Sequence, residues 1–129
     1  MLALHVVTPE GKLLEQEVDE VALPGVLGEF DVLPGHVPML SATAVGVLRY
    51  RKGAEKGAVV VGPGFAEVDG HDKVVALVQR AVVSAKWSAE AAELQLAHAN
   101  ERLKSEKSDP VAEGDRAFAL AQLEAFGKK

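Results

Sequence analysis

In a 129-residue chain with no cysteine, chemistry has to come from histidines, carboxylates or glycine-rich loops. His36 is the most conspicuous candidate, at the centre of GEFDVLPGHVPML (residues 28–40) with Gly35 and Pro38 close by. A histidine works as a general base when a nucleophile lies within reach, yet no Ser or Cys in a recognisable elbow accompanies this one. A turn fixed through backbone hydrogen bonds is the better reading of His36. His5, His71 and His98 fall on an expected strand, turn and helix without metal-ligand spacing, so no metal site is expected. VGPGF (61–65) lacks the Gly-Lys-Ser/Thr of a phosphate cradle and reads as a connection between strands. Asp19, Glu20, Glu29 and Asp31 alternate with apolar residues, as solvent-facing strand positions do. Neither a catalytic group nor a cofactor is expected.

The elements that position these residues change character near Ser84. Before it, short apolar runs are divided by Gly and Pro; after it, alanine dominates and the pattern is helical. LALHVVT places Leu2, Leu4 and Val6 on one face at period two, and GVLRYR sets Val47 and Arg49 against Leu48 and Tyr50. KGAEKG (52–57) reads as a polar hairpin loop, and Val74–Val78 as a strand apolar on both faces, buried inside a sandwich. Eight to ten such strands predict an antiparallel β-sandwich over 1–84. In 85–129, Ser88 is the expected cap of one helix, with a stripe of Ala92, Leu96, Ala99 and Leu103. Asp109-Pro110 opens a second, with Val111, Phe118, Ala121 and Ala125 facing the first and Gly127 as the stop. The pair predicts an antiparallel hairpin held by a weak alanine-rich seam.

Composition narrows the classes further. Nearly half the residues are hydrophobic and 26% are charged, as in a folded globular protein, while 5% aromatics leave the core to Val, Leu and Ala. A net charge of −5 argues against nucleic acid as a partner. The absence of cysteine fits a reducing compartment, and no apolar run has the signature of a signal peptide or a bilayer span, so a cytoplasmic location is expected.

LPGVLGEFDVLPGHVPMLSATAVGVLR resembles the epsilon subunit of the bacterial F-type ATP synthase. The signature is a Gly-Glu-apolar-x-apolar-x-Pro-Gly-His-x-Pro-apolar-Leu stretch. LHVVTPEGKLLEQEVDEV and VGPGFAEVDGHDKVVALVQRAV are similar to further segments of that family. The resemblance implies a ten-stranded β-sandwich at 1–84 and a helical hairpin at about 88–127. It also implies a non-catalytic place in the central stalk, bound to the gamma subunit and resting on the c-ring, on the cytoplasmic face of the bacterial inner membrane. Glu29, Phe30, Asp31, Pro34, Gly35, His36 and Pro38 then become an interface facing c-ring loops and gamma. The hairpin becomes a regulatory arm that can extend toward the catalytic alpha and beta subunits. From the residues alone, a free-standing β-sandwich that senses nucleotide or binds a ligand under a helical lid stays open.

Some members of the family bind ATP through an Asp-x-x-Arg-Ala motif at the start of the first helix. Here WSAEAA (87–92) puts Ser88 and Ala91 where the Asp and Arg would stand, and GDRAFA (114–119) carries an Asp-Arg-Ala triplet in the wrong helix. From Lys86 onward seven basic side chains face eight acidic ones, a net of −1, which gives little steering toward an acidic partner. Titration calorimetry of the full chain is therefore expected to show ATP affinity much weaker than in members with the intact motif. Saturation at micromolar ATP with compaction of the hairpin would mean that other residues hold the nucleotide.

Overall fold

Period-two alternation becomes ten strands, and the alanine-rich tail becomes two helices. The computed structural model describes residues 1–127; Lys128 and Lys129, counted in the tail's charge above, lie outside the described residues. The strands are β1 (Leu2–Thr8), β2 (Gly11–Val18), β3 (Glu20–Gly25), β4 (Gly28–Val32), β5 (Met39–Thr43), β6 (Gly46–Lys52), β7 (Glu55–Val61), β8 (Gly64–Val68), β9 (Lys73–Val78) and β10 (Ala81–Val83). A 3₁₀ turn at Ser84–Lys86 leads to α1 (Ala89–Ser105) and α2 (Pro110–Phe126).

The sheet runs in the order β10-β7-β6-β3-β5-β8-β9-β1-β2, with β4 on the other side of β3. It bends into two layers at β3, which pairs with β6 through Ala22 and with β5 only at Gly25–Thr43. Every pairing is antiparallel except β1 with β9, which is parallel. That exception was not visible in the sequence, because a long connection can return a strand in either direction. Leu2, Leu4 and Val6 of β1 meet Val21 and Leu23 of β3, Leu48 of β6, Val59 and Val61 of β7, and Val74, Ala76 and Val78 of β9 in one buried core. The core is built of valine, leucine and alanine, so its stability comes from many small β-branched contacts rather than a few aromatics.

Three sequence expectations change. The polar loop expected at 52–57 shrinks to Gly53-Ala54, because β6 and β7 pair as far as Lys52–Glu55. Alternating charges on an exposed face do not prevent pairing when the backbone ladder is satisfied. Val74–Val78 is buried on one face only, since Leu77 remains 51% exposed. In α2 the inward stripe is Ala112, Phe118, Ala119 and Gln122, while Val111 is 60% exposed. The Asp109 carboxylate, accepting from the Val111 and Ala112 amides at 3.0 and 3.1 Å, fixes where the first turn starts and hence which face turns inward.

α2 covers the outward side of β6 and β7, where Val60 points away from the core yet is fully buried. α1 packs along α2, and its buried residues are Ala92 and Ala99. Trp87, in the linker, packs edge-on against Phe126 with ring centroids 5.8 Å apart. Gly114 lies inside α2 with open space where a Cβ would stand. Gly114→Ala is therefore expected to stabilise the helical unit by about 0.5–1 kcal/mol. The readout is the midpoint for loss of the helical circular-dichroism signal on heating.

Candidate docking surface

The stretch around His36 is built as a turn locked from two sides. The His36 amide donates to the Leu33 carbonyl at 3.1 Å, Pro34 pre-sets the first central residue, and Gly35 takes φ +85°, which makes a type II turn. His36 Nδ1 lies 2.7 Å from the Val37 carbonyl oxygen. A carbonyl only accepts, so Nδ1 carries the proton in this contact. The Gly35 amide donates to the Asp72 carboxylate at 2.7 Å, thirty-seven residues along the chain. Asp72 itself sits at φ +60°, and its carbonyl accepts from the Ala3 amide at 2.8 Å. The same loop is braced by Asp69, whose carboxylate accepts from the His71 and Lys73 amides at 2.7 and 3.1 Å. The His71 amide, supported by Lys73, holds the Asp69 carboxyl below the ordinary carboxylate range. Gly70, at φ +82°, closes the clasp: a Cβ there would stand 2.7 Å from the Pro38 ring. His36 therefore serves the backbone of a turn, as its surroundings in the sequence suggest.

Glu29, Phe30 and Asp31 lie elsewhere. They belong to β4, which pairs with β3 alone among the described strands, so its outer edge is free. Glu29 and Asp31 point to solvent, the usual protection of an edge strand against unwanted pairing. Phe30 is half-buried against the core, its ring 3.1 Å from where a Gly25 Cβ would stand. It is committed largely to packing, and the exposed apolar group nearby is instead the β3–β4 tip. There Val26 is 58% and Leu27 101% exposed. At about 3.3 Å per residue, β4 rises roughly 10 Å from Glu29 to Val32, and His36 lies beyond its far end in the following turn. The thirteen-residue stretch thus presents two surfaces: the tip with Glu29, and the clasped turn with Leu33 and Val37 exposed beside it.

The residues at the degenerate nucleotide motif have structural work. The Ser88 hydroxyl oxygen accepts from the Ala91 amide at 3.2 Å, which makes it the cap of α1, and Ala91 is an exposed first-turn residue. Among the described residues no three His, Cys, Asp or Glu side chains are grouped to hold a metal ion.

The family model described as ATP synthase, Delta/Epsilon chain, beta-sandwich domain matches residues 1–84, the span of the ten strands and the first residue of the 3₁₀ turn. The chain belongs to the ATP synthase delta/epsilon chain family. The ATP synthase epsilon chain of Geobacter metallireducens is 38% identical to it, covering 98% of this chain and 94% of that one. The epsilon chain of Geotalea daltonii gives the same identity and coverage. Among solved structures, a chain of the Euglena gracilis mitochondrial ATP synthase, in an OSCP/F1/c-ring assembly, aligns with a TM-score of 0.68 at 27% identity. That alignment covers 98% of this chain and 77% of the other. A chain of the Tetrahymena thermophila ATP synthase central stalk and c-ring shares the fold, with a TM-score of 0.56 at 12% identity over 66% of this chain and 68% of that one. Membership of this family makes the chain a non-catalytic subunit of ATP synthase and sets aside the free-standing ligand-binding module.

Sequence reasoning missed Leu27 and Asp72. Leu27 has no pattern of its own, being one of two apolar residues, with Val26, between Gly25 and Gly28. Asp72 could have been suspected from DGHD, a cluster of turn formers, but its partner is unreadable without the fold. Asp72→Ala removes both a left-handed-tolerant residue and the acceptor for Gly35, and is expected to cost about 1–2 kcal/mol in chemical denaturation. Asp72→Asn keeps both features and is expected to lose less than half of that.

Proposed function

We propose that the chain is the central-stalk subunit that joins the gamma subunit to the c-ring, on the cytoplasmic face of a bacterial inner membrane. In this reading the β3–β4 tip and Glu29 meet the polar loops of the c-ring. The clasped Pro34–Pro38 turn extends the contact, and residues 1–84 form a rotor-docking domain. The two-helix unit of 85–129 is the mobile regulatory arm, which reaches toward the catalytic alpha and beta subunits when it leaves the sandwich. One observation supports the docking assignment above others: Leu27, fully exposed, stands at the tip of a hairpin whose position is fixed by pairing on both sides of β3. An apolar side chain carried on a fixed backbone loses only its own rotamer freedom when a partner covers it. A subunit that passes torque needs that kind of contact, with stiff backbone and no chemistry of its own.

Leu27 and Glu29 touch nothing in the core, so they separate docking from folding. Leu27→Ala with Glu29→Ala is expected to leave the isolated chain within about 0.5 kcal/mol of its original stability. In reconstituted vesicles the same pair is expected to lower proton-driven ATP synthesis several-fold while ATP hydrolysis continues. Unchanged coupling between proton flow and synthesis would overturn the assignment of this tip.

A further inference from the structure

Asp115 opens the Asp-Arg-Ala triplet that stands in the wrong helix for a nucleotide motif. Its carboxylate is shared by two arginines on two other elements. Arg80 Nη1 approaches Oδ1 at 2.9 Å, and Arg102 Nη1 of α1 approaches Oδ2 at 3.7 Å. Arg80 belongs to the short link between β9 and β10, where its carbonyl accepts the Gly62 amide at 2.8 Å, so its backbone is part of the sandwich. Its guanidinium also lies over the Phe118 ring, 4.4 Å from the centroid, one helical turn beyond Asp115. Arg102 completes the set by pairing with Asp109, the cap of α2, at 2.8 Å.

We propose that Asp115 is the latch of the helical arm, a built-in anion that ties α2 to the sandwich through Arg80 and to α1 through Arg102 and so keeps the arm folded without a ligand. Half-exposed ion pairs are individually weak. Here one carboxylate serves three elements and Arg80 also stacks on an aromatic face, so both contacts of Arg80 break together when α2 lifts. The other buried residues of α2 are Ala112, Ala119 and Gln122, so Phe118 is the one large apolar side chain that α2 buries among the described residues. The Arg80 contacts are also the charged ones that cross from the sandwich to the arm among the described residues, whereas Arg102–Asp109 lies within the hairpin and survives its departure.

The inference rests on the arm being mobile, and its test uses the full chain by itself. Because the chain has no cysteine, Ala54→Cys and Ala117→Cys, both at exposed positions, accept two spin labels at unique sites. Pulsed electron resonance then reads the ratio of undocked to docked distances. At low salt, Asp115→Asn is expected to raise that ratio about five- to tenfold, and Arg80→Gln to do the same. The double variant is expected to equal Arg80→Gln alone, because among the described residues Asp115 reaches the sandwich through Arg80. Arg80→Lys, which keeps the charge but not the planar stack, is expected to fall between. An unmoved ratio in Asp115→Asn, or single effects that simply add, would overturn the latch. Hydrolysis by the reconstituted complex tests the other reading: a ratio that rises in Asp115→Asn while hydrolysis stays unchanged leaves the latch standing and removes the regulatory role of the arm.

Discussion

The architecture turns on a proline. β3 runs beside β6 as far as Ala22 and cannot continue there, because Pro24 has no amide to donate. Its carbonyl instead accepts the Ala44 amide at 2.8 Å, and the Val26 amide donates to Ala42 at 3.1 Å, so the strand passes from one layer to the other. Two glycines make the passage possible. A Cβ on Gly25 would stand 2.7 Å from the Gly28 carbonyl oxygen, and one on Gly46 would stand 2.7 Å from the Pro24 ring. Without this corner the two layers would share no hydrogen bonds at β3, and the tip bearing Leu27 would have no fixed direction. The exposed surface is therefore a consequence of how the sandwich closes.

The second layer of structure is held by different physics. The sandwich core consists of fully buried aliphatic side chains contributed by strands far apart in sequence, and contacts of that kind are lost together or not at all. The helical arm buries Ala92, Ala99, Ala112 and Ala119, each adding little apolar area, with Phe118 as the main large buried side chain. Besides the Trp87–Phe126 and Arg80–Phe118 contacts it is held by polar pairs: Gln122 with Gln95 at 3.2 Å, Arg116 with Asn100 at 3.1 Å, and the arginine–aspartate pairs. Polar contacts at a partly wetted surface exchange for water at small net cost. One chain thus combines a body closed by aliphatic packing with a helical unit attached to it largely through small and polar side chains.

This division also explains what could be read from the sequence. Alternation in β1 and the caps Ser88 and Asp109 are local signals, set by a few neighbouring residues, and they appear in the structure where the sequence places them. The misread features are those fixed at long range. Leu77 is as apolar as its neighbours in Val74–Val78, and only the pairing of β9 between β8 and β1 decides that its side of the sheet faces outward. The unity of GEFDVLPGHVPML was likewise a property of the text: five of its residues are one strand, and a strand separates its ends. Phe30 enters the expected interface only through the family resemblance, whereas its alternation with Glu29 and Asp31 is what sends it inward.

The two halves are also joined where their stabilities differ most. Arg80 is anchored in the link that follows β9, while its guanidinium reaches α2. A contact made from a rigid support to a marginal element transmits the state of that element without altering the support. Had the sandwich's side of the contact been an exposed loop, motion of the arm would have been absorbed there. Because Arg80 is fixed by its backbone, the proposed departure of α2 would change the charge and the exposed apolar surface on the β6–β7 face that carries Val47 and Val60, and would leave the β3–β4 tip as it is. The proposed docking face and proposed movable arm are thus independent of one another, the first set by the closure at Pro24 and the second by the anchoring of Arg80.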